Sequence, residues 1–151
     1  MEEVNENTSA LLQCIDVLIA PGKIVTQLGH SADVEKAVQS TLARGFAAVV
    51  ATLGAGGCVG VSREENKIHS VSGIPVTVSD TTGAGDAFHG AFIHAMLNGY
   101  DLVECVNIAN TIAAQKCTFI GPRIPTEAVQ SLARGGWGQV LHCHIFGLTF
   151  Q

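Results

Sequence analysis

A chain of 151 residues with 47% hydrophobic and 14% charged residues suits one domain with a sizeable core and is too apolar for a disordered segment. A formal net charge of −5 with no cluster of Lys and Arg argues against a nucleic-acid partner. The longest purely apolar run, Phe46 to Ala51, is six residues and too short for a membrane span, and the acidic start MEEVNENTS is neither a signal nor a transit peptide, so the expected location is the cytoplasm.

Taken in chain order, DVLIA (Asp16 to Ala20) predicts a short buried strand, ended by Pro21 and Gly22. Ser31 is placed to cap a helix with Asp33 in its first turn. Val34, Ala37, Val38 and Leu42 then recur at helical spacing, and Gly45 after Arg44 is a stop signal. AAVVATL (Ala47 to Leu53) predicts a second buried strand, and strand–helix–strand order suggests a parallel, doubly wound sheet. After the turn GAGG come three short β-rich stretches, CVGVS, NKIHSV and IPVTVS, which predict antiparallel strands or a hairpin at the sheet edge.

Helices dominate from Ala84. Ala84, Ala87, Phe88, Ala91, Phe92, Ala95 and Met96 trace one apolar face, and Gly99 closes that helix. Asp101 with Glu104 predicts a capping box for the next helix, whose inner face carries Val106, Ala109, Ala113 and Cys117. A last helix is expected from about Thr126 to Arg134, and the segment GGWGQVLHCHIFGLTFQ after it fits nothing before it. The five cysteines, Cys14, Cys58, Cys105, Cys117 and Cys143, form no CxxC pair and predict small core residues in a reducing compartment rather than a disulfide framework.

The stretch with the most chemistry is DTTGAGDAFHGAF, Asp80 to Phe92. A helix N-terminus presents backbone N–H groups without intrahelical partners, and with the helix dipole these attract anions. Gly83, Ala84 and Gly85 have almost no side chain there, so a phosphate could approach the backbone closely. Asp86 follows in the first turn, where a carboxylate can accept a proton from an attacking hydroxyl. The plainer reading is a capped helix whose Asp86 complements the dipole. The glycines favour function, because glycine at a helix start costs stability.

Other stretches carry less. GAGGCVG has glycines at 54, 56, 57 and 60, which miss the dinucleotide-binding spacing, and a strand rather than a helix follows. The HCH of His142 to His144 lacks a second ligand cluster at useful spacing and reads as incidental. His89 and His94, on the helix after Asp86, read as packing or surface residues.

DTTGAGDAFHGAF resembles the second signature of the ribokinase-like, or PfkB, carbohydrate kinases. On either side, VVATLGAGGC resembles that family's strand and glycine turn over the nucleotide, and NIANTIAAQKCTFIGPRIPT its adenine-side helix and cation loop. The resemblance covers about Asp16 to Arg134. It implies a three-layer α/β/α sandwich with a mainly parallel sheet, shortened at the N-terminus, with residues 1–134 as the C-terminal part of the kinase domain and 135–151 as an atypical tail. It implies ATP-dependent phosphoryl transfer to a hydroxyl of a sugar or nucleoside. Asp86 would be the catalytic base and Gly83, Ala84 and Gly85 the anion hole. Thr52, Gly54 and Gly57 would line the nucleotide, and Asn110 would lie beside the adenine or else be a solvent-facing helix position. Asp80 and Thr82, with carbonyls near Cys117 to Gly121, would hold a monovalent cation such as K+.

The implied cofactors are therefore ATP, Mg2+ and K+. The implied partner is a small-molecule sugar or nucleoside, with no membrane partner, and a homodimer is one assembly the resemblance allows. Two departures stand out. The family's magnesium-organising Asn-x-x-Glu is replaced by APGKIV, and the long N-terminal half with the sugar-binding residues and β lid has no counterpart. The alternative is thus a catalytically inactive nucleotide-binding fragment or interaction module.

Overall fold

The structure is a computed structural model and describes residues 10–128. The expected tail, its HCH and most of the last helix lie outside the described residues. The chain divides at Gly73–Ile74 into two compact units.

The first unit is a sheet with helices packed on it. Strand β1 (Val17–Pro21) runs into helix α1 (Gly22–Leu28), then helix α2 (Val34–Leu42) and strand β2 (Ala48–Thr52). A single helical turn over Gly54–Gly56 leads to strand β3 (Cys58–Ser62), and strand β4 (Ile68–Val71) completes a four-stranded sheet in sequence order. β1 and β2 pair in parallel, whereas β2–β3 and β3–β4 pair antiparallel. The sheet of this unit is therefore mixed: the helical crossover returns β2 parallel to β1, and the tight turns after it can only reverse the chain.

The two-residue alternation of the strands fixes what is buried. Val49 and Ala51 on β2 and Val59 and Val61 on β3 join Val25, Leu28, Ala37, Val38 and Leu42 of the helices in one core. Val50 and Cys58, on the opposite face, are equally buried, which is why β2 and β3 read as unbroken apolar runs.

Three local expectations change. Helix α1 begins directly at Gly22, where a break was expected; Pro21 ends the strand and is the N-cap residue of the helix, with φ −55° and ψ 142°. The cap of α2 is Asp33, whose carboxylate accepts from Glu35 N at 3.0 Å and Lys36 N at 3.3 Å, while Ser31 Oγ accepts from Asp33 N at 3.2 Å. IPVTVS forms no strand among the described residues; Pro75 lacks the N–H a ladder needs.

The second unit is a helix pair. Helix α3 (Ala84–Leu97) and helix α4 (Leu102–Lys116) pack against each other. Phe88, Phe92 and Ala95 of α3 are buried, as are Cys105, Val106 and Ala109 of α4, whereas Met96 is exposed. Gly99 takes a φ of +81°, as a helix-stopping glycine should. The Asp101–Glu104 capping box is present in both directions, with Glu104 N donating to Asp101 at 2.8 Å and Asp101 N donating to Glu104 at 3.1 Å. Cys58 and Cys105 are buried free thiols as expected, but Cys14 is exposed.

Candidate functional site

The loop before α3 is held by a knot of charge-assisted bonds. The Asp80 carboxylate accepts from Thr82 N at 2.8 Å through Oδ1 and from Gly121 N at 2.9 Å through Oδ2. Ser79 N and Asp80 N both donate to the Cys117 carbonyl, at 2.8 and 3.2 Å. These bonds tie residues 79–82 to residues 117–121. The N–H of Thr82 above all, then the Thr82 hydroxyl, the Gly121 N–H and the Lys116 charge, hold the Asp80 carboxyl down at about 2.

Gly83 then turns the chain into the helix. Its φ of +80° and ψ of 4° are left-handed, and a Cβ there would overlap the Pro122 carbonyl group, with Pro122 C and Cα both at 3.0 Å. Among the described residues no side chain caps this helix. Ala84 N donates to Thr81 O at 3.1 Å, so one of the expected anion-hole amides already has a partner. The amides of Gly83, Gly85 and Asp86 have none among the described residues. Gly85 has open space around the position of a Cβ, and both Gly85 and Asp86 are exposed. His89 Nδ1 lies 2.7 Å from Gly85 O, one turn along the same helix. The first turn of α3 thus offers bare backbone donors and one accessible carboxylate.

Lys116 is the residue that sequence reasoning missed. It ends α4, is fully buried, and its ammonium donates to Asp80 O at 2.7 Å and Phe119 O at 3.4 Å. The available signal was a lysine in the last turn of an apolar helix, which more often reads as a dipole-complementing surface residue. Asn110 is buried in α4, so it does not face solvent.

The glycine turn after β2 belongs to the first unit. Leu53 N donates to Gly57 O at 2.8 Å and Gly57 N to Gly54 O at 3.1 Å, closing a tight loop. Gly57 has a φ of +93°, and a Cβ there would overlap the Val71 carbonyl and approach Gly73 N and Ser72 C at 2.6 Å. Gly54, with φ +58°, is exposed with nothing near its absent Cβ. Thr52 is half-buried at the end of β2. Gly57 is therefore required by packing, whereas Gly54 and Thr52 are accessible to a ligand.

Residues 20–25, where the resemblance places a magnesium-organising motif, carry no carboxylate and enter α1. Among the described residues no group of three or more His, Cys, Asp or Glu is placed to hold a metal ion. A magnesium ion held by protein side chains does not fit that segment. Among the described residues, no helix is long and apolar enough to cross a membrane.

The first unit is a mixed α/β sheet with a glycine turn, and the second opens on a helix whose N-terminus carries an exposed aspartate. The chain belongs to the pfkB family of carbohydrate kinases, whose profile matches residues 6–129. It is 32% identical over 123 residues to an uncharacterized sugar kinase of Archaeoglobus fulgidus, covering 82% of this chain and 45% of that protein. Phosphofructokinase-2 from Escherichia coli in complex with potassium shares its fold with a TM-score of 0.72 at 25% identity, over 89% of this chain and 45% of that one. A protein assigned as ribokinase II from E. coli, in complex with ATP and Mg2+, gives a TM-score of 0.68 at 27% identity, over 83% and 41%. The chain spans less than half the length of these relatives. The fold is the α/β fold of ribokinase-like kinases.

Proposed function

We propose that this chain carries the nucleotide-binding and catalytic-loop part of an ATP-dependent kinase acting on a hydroxyl of a sugar or nucleoside. The observation that carries the reading is the first turn of α3, where the Asp86 carboxylate is exposed beside the amides of Gly85 and Asp86, which have no partner among the described residues. In the proposed step the acceptor hydroxyl oxygen bonds to the γ-phosphorus of ATP while the bond from that phosphorus to the bridging oxygen of ADP breaks. The hydroxyl proton goes to Asp86. ADP leaves with the negative charge of the broken bond.

The backbone donors match the demand of this reaction, which is mainly positioning and stabilisation of charge on the phosphoryl oxygens. Here they are the amides of Gly83, Gly85 and Asp86; the Ala84 contribution is to leave the approach unobstructed. Thr52 and Gly54 would line the nucleotide on the accessible side of the glycine turn. Gly57 supports that turn from beneath. Asn110 would act beside the adenine. ATP supplies the phosphoryl group, and Mg2+ would be held chiefly by its phosphates, since residues 20–25 offer no carboxylate.

The test is a titration of the isotopically labelled chain with a non-hydrolysable ATP analogue, followed by amide shifts. Shifts at Gly54, Gly85 and Asp86 are expected, and shifts confined to residues after 134 would refute the reading. For turnover, Asp86→Asn keeps shape but removes the base and should lower kcat by about 10²–10⁴-fold with nucleotide affinity nearly unchanged. Full turnover by that variant would leave Asp86 as a dipole-complementing residue alone.

A further inference from the structure

We infer that the loop before α3 supplies its own cation: the Lys116 ammonium, seated on the Asp80 and Phe119 carbonyls, stands in for a bound monovalent ion. No potassium is then needed at this position. The inference does not depend on the chain being a kinase.

The ammonium has the surroundings of an alkali ion. It is fully buried and meets main-chain carbonyl oxygens from two separate segments, Asp80 O at 2.7 Å and Phe119 O at 3.4 Å. A compact, hard cation takes oxygen ligands of this kind, and backbone carbonyls replace its hydration shell. The negative charge that balances it is the Asp80 carboxylate, fixed in turn by the N–H groups of Thr82 at 2.8 Å and Gly121 at 2.9 Å. A buried lysine without such compensation would be strongly unfavourable.

A second cation is disfavoured for the same reason that the first is stable. The oxygens at which the resemblance points are those of Asp80, of Thr82 and of the segment Cys117 to Gly121. Two of them already accept from Lys116. The Cys117 carbonyl accepts from Ser79 N and Asp80 N. An added potassium ion would have to displace these donors and sit beside a like charge. The tether also differs in kind from a dissociable ion. The ammonium is covalently part of α4 and holds the loop by hydrogen bonds, so this cation cannot diffuse away and the geometry leading to Gly83 and the amides of α3 is set at any salt composition.

The experiment compares wild type with Lys116→Met and Lys116→Gln in KCl, NaCl and choline chloride at equal ionic strength, reading Tm, with thallium(I) NMR as a direct probe of the potassium site. Wild type should show the same Tm in KCl and choline chloride and no specific thallium signal. Lys116→Met should melt lower in choline and regain part of the loss in KCl, with a thallium signal that wild type lacks. A potassium-specific rise in the wild-type Tm, or thallium uptake by wild type, would overturn the inference. So would variants that lose the same stability in every salt, or none at all. If neither variant folds, the wild-type measurements decide.

Discussion

The two glycines flanking Ala84 should respond in opposite directions to the same substitution. Gly83 is left-handed at φ +80°, and an added Cβ would overlap the Pro122 carbonyl group. A non-glycine residue in that conformation costs roughly 1–2 kcal/mol. Forcing the Pro122 backbone aside adds about 1–3 kcal/mol, as overpacking does. Gly83→Ala should therefore destabilise by about 2–5 kcal/mol. Gly85 is in ordinary helical geometry with open space at its Cβ position. Alanine is favoured over glycine in a helix by about 0.8–1.0 kcal/mol, and somewhat less in a first turn, so Gly85→Ala should stabilise by about 0.5–1 kcal/mol. Its methyl leans toward the helix N-terminus, where a phosphate would sit, so affinity for an ATP analogue should fall. Urea unfolding reads the stabilities and calorimetric titration reads the affinity. A Gly85→Ala variant that gains stability and binds as tightly as wild type would refute the reasoning, because no cost of the glycine would then be offset by function. A Gly83→Ala variant as stable as wild type would refute the account of the cap.

Asp80 is held at about 2, below its usual 3.8, so its contribution to stability is present above about pH 4 and is lost as pH falls through about 2; in Asp80→Asn that part of the acid-unfolding slope should vanish, as followed by circular dichroism against pH. Asp101→Ala removes half of the capping box of α4 and should cost about 1 kcal/mol, measured by urea unfolding. Burial pushes the Cys58 thiol up to about 12 and the Cys105 thiol up to about 11, whereas Cys14 is exposed, so a thiol reagent at mildly alkaline pH should label Cys14 in the native protein and reach Cys58 and Cys105 only on unfolding, as peptide mapping would show.

What was legible in the chain is what local chemistry decides. The strands β1 and β2 announce themselves as apolar runs with turn residues behind them. The end of α3 at Gly99 and the start of α4 at Asp101 follow from a left-handed glycine and a reciprocal cap, both of which act within a few residues. Helix α1 was hidden because Pro21 can stop a strand or start a helix, and only the packing of Val25 and Leu28 into the core selects the second. IPVTVS has the composition of a strand, but Pro75 removes a donor, and strand pairing is a property of neighbours rather than of the segment itself. The burial of Lys116 could not be read from its place at the end of an apolar helix. Its burial depends on carbonyls supplied by residues 80 and 119, and the first of these lies far away in sequence.

The glycines show why a motif match still leaves the chemistry to be worked out. As letters, Gly57, Gly83 and Gly85 are equivalent small residues in two glycine-rich loops. Their surroundings separate them. Gly57 and Gly83 both have positive φ and backbone atoms where a Cβ would go, so the fold alone demands glycine at each. Gly85 has neither constraint, and an alanine would suit the helix better. A residue that the fold would rather replace is the one that points to a ligand. Asp86 follows it directly, exposed in the same turn. The inference of an anion seat therefore rests on Gly85 and Asp86 more than on the length of the shared motif, and the paired alanine substitutions at 83 and 85 address it without any need for turnover.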